Sequence, residues 1–400
     1  MKQLFPGMVI FTVLLIFFGL PSTPADGAEL ELAAKAAVLV EMQSGKILWG
    51  RNKDLPLPPA STVKILTAVV VLEHSRISDR VKVASTATLA TGSTVRLQRG
   101  EHIAIRDLLY ALLVGSGNDA ATALALHVAG SVTKFSDLMN RKARRLGALH
   151  SRFGNPTGLP QKNQLTTAQD LAAITKTALE TAEFRTIVAT KSYPWKSARW
   201  EGTLKNSNQL LETYEGAIGV KTGNTREAGY CLVAAAKRGE AGYIAVVLNS
   251  SEKAVWLDAK KLLDFGFANF TSISLLDRGE TVISSVVAGT KVPLVAAEGA
   301  QHVFSSAALS LPQIEIVLDE LAAPLAKGEK VGEAVFRDGK KEIARVDLIS
   351  KVAVPGQLRL MWIFSAGALI LLAFFLLLLR ARRRRHRYIF AHKGNRLSLR

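Results

Sequence analysis

Ser61 and Lys64 stand three residues apart at the head of an apolar run that continues through Ile65-Leu66 and Ala68-Val69-Val70-Val71-Leu72. On a helix, positions i and i+3 share a face with about 5–6 Å between their Cβ atoms, so this hydroxyl and this amine can meet. Serine is a poor nucleophile near neutral pH. A lysine serves as its base only when desolvation or a second cation lowers the amine's pKa, and the apolar run can supply the desolvation. A helix start also leaves backbone N–H groups unpaired, and that of Ser61 can help bind an oxyanion. Ser116-Gly117-Asn118 lies between two helical patterns. Alone it reads as a cap or turn, but a hydroxyl and a carboxamide on a rigid turn can also relay a proton and hold a substrate amide. Lys221-Thr222-Gly223, followed by Asn224, precedes a strand pattern. It reads either as a strand edge before a glycine turn or as a carboxylate site open to a close-lying backbone.

These groups need a scaffold. The segment from Ala33 to Leu48 reads as two strands around Ser44-Gly45. After Pro58-Pro59 a buried helix is expected from Ser61 to about His74, followed by helices over Ile105 to Leu113, Asp119 to Val128, Val132 to Arg145 and Ala168 to Thr181, the last capped by Thr166-Thr167. Strands are expected over Tyr230 to Lys237 and Gly242 to Asn249, then a helix from Glu252 to Phe265. Strands at both ends with helices between them predict an α+β domain whose terminal strands share one sheet. From Ser272 to Val354, short Val-rich runs broken by Gly and Pro predict a small β-rich domain, with a hairpin at Arg337-Asp338-Gly339-Lys340.

The 400 residues carry a formal net charge of +18 and a single cysteine, Cys231, so no intramolecular disulfide can form. Nine Lys and Arg and no acid fall between Arg380 and Arg400, half of the excess, next to an uncharged run of 20 residues from Leu360 to Leu379. That placement is explained by membrane topology before nucleic acid. The run is long enough to span a bilayer, and the positive-inside rule puts the tail in the cytoplasm and everything before Arg359 outside. Near the N-terminus, Lys2 and an apolar stretch from Met8 to Leu20 precede small residues, as in a secretory signal peptide cleaved near Gly27 or Ala28; an uncleaved anchor is the alternative. None of the seven histidines falls in a metal-ligand spacing, and no metal or other cofactor is assigned. Cys231 reads as a packed thiol whose modification could block a neighbouring cleft.

Ser-x-x-Lys, Ser-x-Asn and Lys-Thr-Gly in this order are the signature of penicillin-binding proteins and β-lactamases. With Pro59-Ala60-Ser61-Thr62-Val63-Lys64, Gly115 to Ala120, Asn155-Pro156-Thr157-Gly158-Leu159 and Gly219 to Gly223, the chain from about Glu29 to Val354 resembles the low-molecular-mass D-alanyl-D-alanine carboxypeptidases. The resemblance implies a penicillin-binding, β-lactamase-like transpeptidase domain, with an antiparallel sheet and a helical region. It also implies that Ser61 is acylated with Lys64 as its base, that Ser116 relays a proton to the leaving D-alanine, and that Asn118 positions the substrate amide. Lys221 and Thr222 would bind the terminal carboxylate beside Gly223, with the oxyanion held by the N–H groups of Ser61 and Asn224. The substrate would be peptidoglycan stem pentapeptides and the inhibitors β-lactams. Two departures stand out. Asn206-Ser207-Asn208-Gln209 lacks the basic residue the family often has there, and many relatives end in an amphipathic surface helix where this chain has a spanning segment.

The expected organisation is therefore a signal peptide over 1–27, a catalytic domain over 28–271, a β-rich domain over 272–355, a transmembrane helix over 360–379 and a basic cytoplasmic tail over 380–400. A β-lactamase is the main rival, although Glu201-Gly202-Thr203-Leu204-Lys205-Asn206 is one residue too long for its Glu-x-x-Leu-Asn motif. A D,D-endopeptidase shares every catalytic residue. A non-catalytic wall-binding protein would be supported by loss of Ser61, Lys64 or Lys221, and all three are present.

Overall fold

The computed structural model describes residues 11–12, 30–308, 310–356, 366–377 and 380. They divide into two compact units, one within Phe18–Ser274 and Gln301–Ser310, the other within Met1–Phe17, Leu275–Ala300 and Leu311–Arg400.

The first unit is built on a five-stranded antiparallel sheet. Its order is Ile47–Arg51, Ala36–Glu41, Ala241–Ser250, Gly229–Arg238, Ala217–Thr225, so strands from both ends of the unit share one sheet. Ala36–Glu41 is buried along its whole length because the sheet is covered on both faces, and its side chains alternate between two cores. Ala37 and Leu39 join Leu232, Tyr243, Leu262 and Leu263 beneath the Ala254–Asn269 helix. Val38 and Val40 join the helical side, which includes α1 (Lys64–His74), α2 (Ile105–Leu113), α3 (Asn118–Ala129), α4 (Val132–Arg145) and α5 (Ala168–Glu180). Ile65, Leu66, Val70 and Val71 of α1 are fully buried in that cluster, and each contributes about 1.5–3 kcal/mol by leaving water. The Thr167 hydroxyl caps α5 by accepting from the Asp170 N–H at 3.0 Å, as its side-chain type predicts.

The structure shifts three expectations. Ser61 lies in a 3-10 turn, Ala60–Val63, and α1 proper begins at Lys64. Pro58 and Pro59 lack N–H groups, and Ala60 adopts a left-handed φ of +47°, so the α-helical hydrogen-bond ladder starts only afterwards. The helix expected from Glu252 begins at Ala254 and runs on to Asn269, and Asn118 belongs to the first turn of α3.

In the second unit, Thr281–Val287, Thr290–Ala296, Lys341–Ser350, Lys330–Asp338 and Gln313–Leu318 form one antiparallel sheet, with Phe11–Thr12 paired to Glu315 and Ile316 at its edge. Asp338 pairs with Lys341 across the expected two-residue turn, where Gly339 supplies the positive φ of +58°. Its core includes Val292, Leu294, Ala334, Phe336 and Leu348.

Apart from Phe11–Thr12, the signal-peptide expectation lies outside the described residues. Of the expected transmembrane helix, residues 366–377 are described; they are helical and exposed. Among the described residues no helix is long and apolar enough to cross a membrane.

Candidate active site

The 3-10 turn tightens the Ser61–Lys64 relation, because side chains at i and i+3 eclipse in that geometry. Lys64 Nζ lies 2.9 Å from Ser61 Oγ, 2.7 Å from Asn118 Oδ1 and 2.8 Å from the Thr157 carbonyl oxygen. Both of the last two atoms can only accept. A neutral amine has two N–H donors and one lone pair. With the donors directed to Asn118 and Thr157, the lone pair is left for the Ser61 hydroxyl.

Electrostatics favour that neutral form. Burial holds the Lys64 pKa well below the ordinary lysine value, and the charge of Lys221 adds to the depression, against an opposing pull from Asp119. Lys221 is itself buried, which brings its pKa down to about 7. Desolvation and the neighbouring Lys221 charge thus both disfavour the ammonium form of Lys64.

Distant loops hold these groups. The Asn118 carboxamide is 4% exposed, accepts from Lys64 and donates to the Thr91 carbonyl at 2.6 Å, so its first use is to orient Lys64. Asp119 fastens the neighbouring segment: its carboxylate accepts from the N–H groups of Val95 at 3.1 Å and Leu97 at 3.0 Å. The Asn155 side-chain oxygen accepts from the N–H groups of Thr157 at 3.1 Å and Gly158 at 2.8 Å, and so fixes the carbonyl that meets Lys64. Gly223 packs against the nucleophile turn, where a Cβ would stand 2.8 Å from Ser61 N and 3.1 Å from Thr62 N.

Ser61, Ser116, Thr222, Gly223 and Asn224 line one cleft of about 430 Å3. Ser116 is held at a left-handed φ of +56°. Lys64, Asn118 and Lys221 sit behind that surface; Lys221 Nζ donates to the Thr222 carbonyl at 3.0 Å. The Ala217–Thr225 strand is the edge of its sheet, so an extended peptide can lie along it. Cys231 borders the cleft but is 2% exposed, and burial pushes its thiol up to about 11, so it is a packed, protonated residue.

Sequence reasoning missed four contributors. The Thr157 carbonyl and the Thr91 carbonyl carry no residue-type signal. Ser207 Oγ lies 2.5 Å from Thr222 Oγ1, and Lys205, on the rim of the same cleft, puts a cation one residue before the segment expected to lack one. The proximity of both to Lys-Thr-Gly in the chain was a usable signal.

Residues 22–252 match the family described as D-alanyl-D-alanine carboxypeptidase, and residues 270–356 match the penicillin-binding protein 5 C-terminal domain. The chain is 32% identical over 366 residues to D-alanyl-D-alanine carboxypeptidase DacF of Bacillus subtilis, covering 88% of this chain and 94% of that protein. It is 32% identical over 356 residues to DacD of Escherichia coli, covering 84% and 91%. The crystal structure of penicillin binding protein 5 from Haemophilus influenzae superimposes with a TM-score of 0.69 at 30% identity, covering 82% of this chain and 100% of that one.

Proposed function

The chain belongs to the D-alanyl-D-alanine carboxypeptidase family of serine peptidases, and on that premise we propose how its residues divide the work of removing D-alanine from peptidoglycan stem pentapeptides. Lys221 and Thr222 hold the terminal carboxylate of the substrate. Ser61 Oγ passes its proton to the Lys64 lone pair and attacks the carbonyl carbon of the penultimate D-alanine. The developing oxyanion is held by the N–H groups of Ser61 and Asn224. The C–N bond then breaks, and the proton on Lys64 reaches the leaving amine by way of Ser116. Water, activated by the same lysine, hydrolyses the ester and restores Ser61. A β-lactam enters by the same attack on its ring amide and stays as an ester.

The observation that carries this reading is the pairing of Lys64 with two acceptor-only partners, which leaves its lone pair for Ser61. The β-lactamase reading lacks the carboxylate base that would activate its water: Glu201 is exposed and paired with Lys196 at 2.9 Å, and among the described residues no Asp or Glu lines the cleft.

Placement follows from the two ends of the chain. A signal peptide over 1–27 would deliver the chain outward. A helix over 360–379 would anchor it, with the basic tail over 380–400 in the cytoplasm; the exposed apolar helix 366–377 supports this reading. The β-rich domain over 272–355 would lift the catalytic domain over 28–271 from the bilayer or meet partners. Membrane fractionation of the chain with and without residues 357–400 tests the anchor.

The activity is tested with the purified chain and a pentapeptide ending in D-Ala-D-Ala, following free D-alanine and covalent uptake of labelled penicillin. Both are expected, and both are lost in Ser61→Ala. Labelling retained in Ser61→Ala would overturn the mechanism, and rapid penicillin hydrolysis without D-alanine release would move the assignment to a β-lactamase.

A further inference from the structure

At one edge of the sheet in the second unit lies Thr281–Val287, whose only strand partner among the described residues is Thr290–Ala296. Exposed sheet edges are usually blunted by a charge, a proline or a bulge. The run Thr-Val-Ile-Ser-Ser-Val-Val has no charged residue and no proline, and its irregularity, between Thr281 and Ile283, leaves Ile283 to Val287 in regular register. Val286 points outward and is 70% exposed.

The hairpin fixes which backbone groups are free. Ala288 and Gly289, at φ of +48° and +80°, form a two-residue turn closed by Val287 and Thr290, and such a closing pair is hydrogen-bonded. By alternation Ser285 and Ile283 also bond toward Val292 and Leu294, whereas Ser284 and Val286 do not. Pro293, which has no N–H to give, stands opposite Ser284, in keeping with this phase. The N–H and C=O groups of Ser284 and Val286 therefore face the open edge. Side chains alternate in step: Val287 is buried and Ile283 packs on the same core, while Ser284 and Val286 are exposed.

These features are self-complementary. An antiparallel copy of the same strand, with Ser285 opposite its own counterpart, sets Ser284 against Val286 of the second copy and Ile283 against its Val287. The free groups then meet as hydrogen-bonded pairs, outward side chains meet outward ones and core-facing meet core-facing, and no like charges stand opposed. Sliding the copy by one residue mixes the faces. Sliding it by two brings in either the irregular segment at Thr281 or the turn residue Ala288.

We propose that Thr281–Val287 is a homodimer edge, to which a second copy of this chain adds the same strand in antiparallel register about Ser285, joining two sheets into one. The inference is independent of the catalytic roles assigned above. One strand pair buries less than the roughly 1,000 Å2 of a stable interface, so the dimer is weak and reversible and is best read by covalent trapping.

The test uses the full chain in detergent with one cysteine added and copper-phenanthroline as oxidant. Residues opposed in a non-hydrogen-bonded pair stand about 4.5 Å apart at Cα, within disulfide reach. Ser285→Cys is expected to form a disulfide-linked dimer at least about tenfold faster than Lys340→Cys, which lies on an exposed turn, because pairing raises the local thiol concentration. Ser284→Pro removes an outward N–H and Val286→Lys charges the edge, and each should bring the Ser285→Cys rate down to that of Lys340→Cys. Neither residue bonds toward Thr290–Ala296, and melting temperatures near that of the wild type report that both variants fold; should one fail to fold, the other carries the test. Equal rates for Ser285→Cys and Lys340→Cys, or a Ser285→Cys rate that the folded edge variants leave unchanged, would overturn the pairing and leave the edge free for some other protein.

Discussion

A Cβ on Gly158 would stand 1.9 Å from the carbonyl oxygen of Ala60, the residue before the nucleophile. The Asn-Pro-Thr-Gly loop and the nucleophile turn are therefore in backbone contact, and the loop that offers Lys64 its Thr157 carbonyl also braces Ser61.

Gly158→Ala should consequently disable the enzyme. Gly158 has a φ of +86°, and both clashing partners are backbone, so relief requires one segment to move, at a cost of roughly 1–3 kcal/mol or more. Penicillin acylation is expected to fall by at least about 100-fold, since small misplacements of reacting groups cost that much. Stopped-flow acylation at the wild-type rate would show that the two segments part without consequence.

Asp119→Ala should destabilise the fold. The carboxylate accepts from Val95, Leu97 and Ala120 N–H groups, and its removal leaves buried donors unpaired at about 1–3 kcal/mol each. Urea unfolding should show a loss of about 3 kcal/mol or more, and Asp119→Asn should recover part of it. A loss near zero would mean that water replaces the carboxylate.

The folded protein holds the Lys221 ammonium at a cost in stability. The unfolded chain keeps this proton to about pH 10.4, whereas the folded protein releases it near pH 7 because of burial. Between those values the unfolded state binds more protons, so stability rises with pH across the window, and below about pH 7 the full cost is present. Lys221→Met should melt higher than wild type at pH 6, by about 2–4 °C for each kcal/mol recovered, with a smaller difference at pH 10. D-alanine release should be lost. Parallel melting curves across the pH range would contradict this.

Cys231 should resist thiol reagents in the native protein. Its thiol is buried, lies 3.7 Å from the Ala228 carbonyl oxygen and is pushed up to about 11, so little thiolate exists at pH 8. Iodoacetamide labelling should require unfolding, and fast labelling of the folded enzyme would show that the Gly229–Arg238 strand opens.

What the amino-acid sequence determined by itself was the chemistry and the scaffold class. The three motifs name their functional groups by residue type. Periodicity placed α2, α4 and α5 almost to the residue, because an amphipathic stripe or a capping threonine such as Thr167 is written locally. Four of the five strands of the sheet were legible from apolar runs at both ends of the domain; the edge strand Ala217–Thr225, whose Lys-Thr-Gly reads equally as a glycine turn, was not. Tertiary structure alone decided the state of Lys64. Its second and third partners, Asn118 and the Thr157 carbonyl, are 54 and 93 residues away, and a backbone carbonyl leaves no mark in the residue code. Only folding brings Lys221 close enough to repel Lys64 and removes the water that would otherwise keep Lys64 charged, so the basicity on which the serine depends is a property of burial.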